Sequence, residues 1–143
     1  MIRFFDASAL VKRYIAEEHS ATVEQWFSSG TAFSSRLSEV EIASALARRC
    51  RDGDITAKER DQILGRLYDD LERALYVVEL QPAVLQAAVV LIKRHPLRSG
   101  DAIQLASALS LRRAGAASPV EFAVFDGKLS TAAQAEGLEV LAP

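Results

Sequence analysis

Two hydrophobic runs in this chain stop on the same pair of residues. Ile2, Phe4 and Phe5 run into Asp6 in FFDASAL, and Ala123, Val124 and Phe125 run into Asp126 in AVFDGKL. Two further acids, Glu41 and Asp101, stand in LSEVEIASAL and SGDAIQLASAL. Each has a local reason to be where it is. An aspartate after a strand is a favoured helix N-cap, and Asp-Gly is common turn chemistry. Ser38 with Glu41 fits the S-x-x-E capping box, and an acid in a first helical turn gains ~0.3–1 kcal/mol from the macrodipole. Gathered in one place, however, the four carboxylates would repel and raise one another's pKa unless a cation neutralised them. An all-oxygen ligand set suits Mg²⁺ or Mn²⁺, which keep several waters and complete their shell with substrate phosphate. A phosphodiester bridging such ions is polarised, and water on the metal becomes a nucleophile at neutral pH. That is nuclease chemistry, and it requires no histidine or serine.

Whether the acids meet depends on the elements that carry them. Residues 2–5 read as a short buried strand, 7–16 as a helix with Leu10, Val11, Tyr14 and Ile15 at helical spacing, and 20–27 as a second helix. Residues 31–34 read as a strand. The Ser38/Glu41 box opens a helix to about Arg51, and Thr56 with Glu59 opens a longer one to about Ala74, striped by Ile63, Leu67 and Leu71. Residues 76–80 form a strand, Pro82 suits a first helical position, and that helix ends before Pro96. The helix holding Asp101 runs to Gly115; residues 120–125 and 138–141 are strands around a short helix over 130–135, closed by Gly137. Strands alternating with helices indicate an α/β domain with a mainly parallel sheet. Ligands bind such sheets at the carboxyl ends of the strands, where both Phe-Asp stops fall.

The bulk numbers set few further limits. The 143 residues suit one domain over 1–143, half hydrophobic and a quarter charged. No apolar run reaches the ~20 residues of a membrane span, the longest being AAVVLI at 87–92. The N-terminus lacks a signal-peptide layout, and the lone Cys50 excludes an internal disulfide, so a cytoplasmic location is expected. The 17 Lys and Arg against 19 Asp and Glu are no basic footprint for nucleic acid, yet the balance turns slightly positive once four acids surround a cation. His19, His95 and Cys50 have no metal-binding spacing, Cys50 reads as an idle thiol, and Trp26 reads as core.

Taken in order, FFDASALVKRY, SRLSEVEIASAL, LRSGDAIQLASAL and AVFDGKLSTAAQAEGLEV resemble a PIN domain over almost the whole chain, most closely the ribonuclease toxin of VapBC-type toxin–antitoxin pairs. The resemblance implies a three-layer α/β/α fold with a central, mainly parallel sheet of about five strands. It implies an Mg²⁺- or Mn²⁺-dependent endoribonuclease leaving 5′-phosphate and 3′-hydroxyl ends. Carried onto this chain, it implies a metal site of Asp6, Glu41, Asp101 and Asp126, with Asp6 and Asp101 anchoring the principal ion and Ser8 supporting the pocket. A small antitoxin and a homodimer are the implied partners, with RNA as substrate and no membrane. One position departs from the pattern: many relatives carry Thr or Ser two residues before the last aspartate, and this chain has Val124. Lys12, Arg13, Arg98 and Lys128 flank the acid blocks, either as contacts to phosphates around the cleaved one or as surface charges and internal ion pairs. Arg48, Arg49 and Arg51 form a second basic cluster facing RNA or an acidic partner segment. The rival reading is a PIN scaffold that binds RNA or protein without cutting. Phosphatases of the haloacid-dehalogenase type want Asp-x-Asp, where this chain has Asp6-Ala7-Ser8, and receiver domains want an aspartate ending the third strand.

Overall fold

The computed structural model describes residues 1–115 and 119–143. Its five described strands are β1 (Ile2–Phe5), β2 (Thr31–Ser35), β3 (Leu75–Val78), β4 (Val120–Ala123) and β5 (Glu139–Leu141), in the order β3-β2-β1-β4-β5. Every pairing is parallel. Parallel sheets need both faces covered, because each crossover lays a helix on one face. Side chains alternate accordingly along β1. Phe4 packs with Phe122 and with buried residues of α5 (Pro82–Arg94), α6 (Ser99–Arg113) and α7 (Gly127–Ala135). Phe5 faces the other layer, formed by α1 (Ala7–Leu10), α2 (Ser20–Ser28), α3 (Leu37–Arg51) and α4 (Ala57–Arg73). The result is the expected three-layer α/β/α architecture, with a sheet that is wholly parallel rather than mainly so.

The order of the strands sets the position of the site. The chain steps outward from β1 to β2 and β3, then returns to lay β4 on the opposite side of β1. Such a reversal opens a crevice at the carboxyl ends of the two diverging strands. Asp6 stands there, and its N–H donates to Ala123 O at 3.3 Å, extending the pairing by one residue.

Local signals account for most element ends. Thr56 and Glu59 close a reciprocal capping box on α4, Pro82 begins α5, and Gly115 and Gly137 take the positive φ that ends α6 and α7. Three expectations need correction. The helix over 7–16 is only one α-turn followed by a 3₁₀ turn at Val11–Arg13, and Tyr14 and Ile15 are buried beyond it. Ser38 does not cap α3, which begins at Leu37 without a side-chain cap, because its hydroxyl is engaged with Ser34 and Gln104. The strand expected to reach Phe125 stops at Ala123, where Asp6 N–H takes the last carbonyl.

One charged pair is built into the sheet. Arg3 and Glu121 are register partners on β1 and β4, with Arg3 Nε 2.6 Å from Glu121 Oε2, and Arg3 also donates to Trp26 O at 2.8 Å. Their side chains are only 13% and 8% exposed, so removing one partner strands a buried charge. Glu121→Ala is expected to cost about 3 kcal/mol in urea unfolding; a loss within experimental error would show that the pair is solvated.

Candidate active site

Asp6 is the N-cap of α1, and its position follows from the strand end that precedes it. Its Oδ1 accepts the Ala9 N–H at 2.9 Å, and the Ser8 hydroxyl lies 3.0 and 2.9 Å from the two carboxylate oxygens. The residue is 4% exposed. Burial pushes its pKa up to about 7, against the pull of Ala9 and Ser8, and the nearby charges of Glu41 and Asp101 push the same way. Glu41 lies in the second turn of α3, half-buried, with its pKa raised by burial and by Asp101 while the Gln104 amide opposes. Asp101 occupies the first turn of α6, with its pKa raised by burial and then by Asp126, and lowered by Arg98. Asp126 is exposed and caps α7 through its Oδ1, which accepts the Leu129 N–H at 2.8 Å.

These four acids line one cavity of about 720 Å³ together with Ser8, Arg98, Gln104 and Lys128. Asp6, Asp101 and Asp126 keep their local roles at helix starts, Glu41 does not, and all four reach the same cavity. Among the described residues, no three His, Cys, Asp or Glu side chains are already drawn together tightly enough to hold an ion by themselves. The chemistry of the lining still fits a hydrated cation. Mg²⁺ binds through one or two carboxylates and retains several waters, which suits an all-oxygen acidic wall around a roomy cavity better than a closed cage would. Three of those carboxylates are disfavoured in their charged form, by burial first and then by the neighbouring acids.

The basic residues divide. Arg98 and Lys128 are exposed on the cavity wall. Lys12 lies elsewhere: its Nζ is 3.1 Å from Glu17 and 4.8 Å from the Phe125 ring centroid, beside a second cavity of about 440 Å³ that shares Ser8, Glu41 and Asp126 with the first. Arg13 is not placed to meet phosphate. Its guanidinium pairs with Asp70 at 2.7 Å and with Glu24, and it lies over the Phe27 ring, which makes it an internal tie between α4 and α2 within one helical layer. In the second basic cluster, Arg49 is held by Glu17 at 2.6 Å, whereas Arg48 is exposed and lines the second cavity. Val124 is buried at 3% exposure, so the position where relatives carry a hydroxyl belongs here to the core. His19 and Trp26 stack on Phe125, at centroid distances of 5.2 and 5.9 Å. Sequence reasoning passed over Gln104, although a lone amide within the small apolar run AIQLASAL was a signal.

The model of the PIN domain matches residues 3–135. This chain belongs to the PIN-domain family. Among curated relatives, ribonuclease VapC45 of Mycobacterium tuberculosis (strain CDC 1551 / Oshkosh) is 38% identical over 138 residues, covering 96% of this chain and 92% of that protein. Among solved structures, M. tuberculosis VapC20, described as a sarcin-ricin loop cleaving toxin, superimposes with a TM-score of 0.69 at 19% identity, covering 99% of both chains. The Rickettsia felis VapBC2 complex, bound to a DNA fragment from its promoter, gives 0.67 at 12% identity, covering 99% of this chain and 98% of that one. At those identities the two superpositions establish the fold, and the PIN fold is shared along nearly the whole length.

The raised pKa of Asp6 has a consequence for stability. The cation-free folded protein holds this proton to about pH 7, while the unfolded chain gives it up near 3.8. The folded state therefore binds the extra proton between those values, so this contribution is fully present below 3.8 and is lost as pH rises through about 7. Relative to Asp6→Asn, the parent is expected to lose on the order of a few kcal/mol of unfolding free energy across that window. Millimolar Mg²⁺ should restore it at neutral pH. A pH-independent difference between the two proteins would contradict the burial of a charged Asp6.

Proposed function

We propose that this PIN-domain protein is a divalent-cation-dependent endoribonuclease and the toxin of a toxin–antitoxin pair. The observation that carries the reading is the convergence of Asp6, Glu41, Asp101 and Asp126 on one cavity at the carboxyl ends of β1 and β4. Its likeness to VapC45, a ribonuclease, along 96% of the chain supports RNA as the substrate class. Asp6 and Asp101 would anchor Mg²⁺ or Mn²⁺, and Glu41 and Asp126 would complete the site or hold its waters. When bound, the ion supplies charge neutralisation, a polarised phosphodiester and an activated nucleophile. The chain's own residues supply the rest. Ser8 and the Ala9 N–H hold the Asp6 carboxylate in one orientation. Arg98 and Lys128, on the exposed wall, meet the phosphates on either side of the one that is cut.

Partners follow from the surface as well as from relatives. The Rickettsia felis neighbour was solved as a VapBC complex, which supports a small antitoxin for this chain. On α5, Leu85, Val89 and Ile92 recur at helical spacing yet are 42%, 54% and 43% exposed, giving the helix a second apolar face beside its buried one. A homodimer covering that face accounts for it. Among the described residues, no helix is long and apolar enough to cross a membrane.

Asp6→Asn retains an N-cap acceptor but loses the charge. It is expected to lower cleavage of a mixed RNA pool by about 100-fold or more, the scale of losing one charge-stabilising group. The parent's activity should disappear in EDTA and return with Mg²⁺ or Mn²⁺. Equal cleavage by the two proteins would remove Asp6 from the site. A parent that binds RNA but never cuts it would instead establish the non-catalytic scaffold. For the dimer, Val89→Lys should sediment as a monomer where the parent sediments as a dimer, and an unchanged sedimentation coefficient would place the interface elsewhere.

A further inference from the structure

Gln104 is a glutamine in the middle of α6, 1% exposed, one turn beyond Asp101. Its Nε2 lies 3.0 Å from Ser38 Oγ and 3.0 Å from Glu41 Oε1. Ser38 Oγ is 2.7 Å from Ser34 Oγ, which in turn is 2.7 Å from the carbonyl oxygen of Phe5. The proton direction along this chain is fully determined. A carbonyl only accepts, so Ser34 donates to Phe5 O, and Ser38 must then donate to Ser34. The Ser38 oxygen is left as an acceptor, and Glu41 is an acceptor as a carboxylate. Both partners of Gln104 therefore require N–H groups, and its amide supplies two. Its Oε1 is buried with no partner. An unmatched buried acceptor costs stability, so a purely packing role at this site would be served better by an apolar side chain of the same shape. What the amide provides instead is a link between α6, which bears Asp101, α3, which bears Glu41, and the last residue of β1, which Asp6 directly follows.

We infer that Gln104 is a positioning residue for the metal centre, holding the Glu41 carboxylate toward the cavity and tying its orientation, through Ser38 and Ser34, to the strand end that presents Asp6. This rests on the reading of the four acids as a divalent-cation site. Gln104 acts through Glu41 and touches neither the ion nor the substrate. Like Ser8 toward Asp6, it lines the cavity with its donors spent on other side chains, here Ser38 and Glu41.

The test measures Mn²⁺ binding by calorimetry, with RNA cleavage as a second readout. Gln104→Met keeps the side chain's length and removes both N–H groups. It is expected to weaken Mn²⁺ binding about 10-fold or more, the usual scale for losing a group that orients a ligand, while leaving thermal unfolding without metal near that of the parent. In a Glu41→Gln background the same substitution should add little further loss, because a residue that works through Glu41 has nothing left to orient. Unchanged Mn²⁺ affinity in Gln104→Met, or a full additive loss in the double variant, would overturn the proposal. Should Gln104→Met fail to fold, Gln104→Asn takes its place. It keeps an amide but is shorter by one methylene, and the same weakening and the same non-additivity are expected. A parent protein that binds no Mn²⁺ and cuts no RNA would fail separately, in the unsubstituted chain, and would count against the metal-site reading itself.

Discussion

A carboxylate without a counter-charge, buried at the end of a parallel strand, is the constraint on which the rest of this molecule turns. Asp6 is almost fully enclosed, and the charges of Glu41 and Asp101 press on it as well. Protein donors relieve this only in part: one backbone N–H and one hydroxyl reach Asp6, and one amide reaches Glu41. A core selected for stability alone would place a neutral cap at that strand end. The acid is tolerable because the fold opens a cavity beside it, lined by three further carboxylates and by cationic side chains. An all-oxygen acidic wall of this kind has the chemistry that suits a small, hard, hydrated cation.

The scaffold is organised to hold that arrangement still. The reversal of strand order after β3 puts β1 and β4 side by side, so that two strand ends diverge at the crevice. Ionic ties lie away from the chemistry. Arg3 with Glu121 fastens β1 to β4 from within the sheet, and Arg13 with Asp70 fastens the turn after α1 to α4, with the Tyr14 hydroxyl donating to the same carboxylate at 2.7 Å. These pairs show why a count of basic residues near an acidic motif misleads. Arg13 is adjacent in sequence to Lys12 and near Asp6, yet its charge is consumed by the interior, whereas Arg98 and Lys128 remain at the surface of the cavity.

How much could be read before the structure was known depended on how local each cause was. Asp6 as an N-cap, the Thr56/Glu59 box and the Pro82 start are set by residues within a few positions, and each was legible. Ser38 and Glu41 carry the same capping signature and do not form a box, because Ser34 takes the hydroxyl and the distant Gln104 reaches both the hydroxyl and the carboxylate. The helix expected over 7–16 shortens because the chain must turn to bury Tyr14 and Ile15 under α4 and α2, a tertiary demand that periodicity cannot register. Convergence of the four acids was legible through strand-end reasoning and through family resemblance. The amide that holds Glu41 left only a weak signal, since a single glutamine in an apolar run reads equally well as a polar residue on a helix surface.

If a divalent cation binds beside Asp6, it must displace the proton that burial holds on that carboxyl. Calorimetric titration of Mg²⁺ into the cation-free protein at neutral pH, in two buffers of different ionisation enthalpy, counts the protons exchanged. With Asp6 titrating at about 7, binding should release on the order of half a proton or more per site near that pH, and the release should shrink in Asp6→Asn. Mg²⁺ binding with no proton release, or with the same release from Asp6→Asn, would contradict the account.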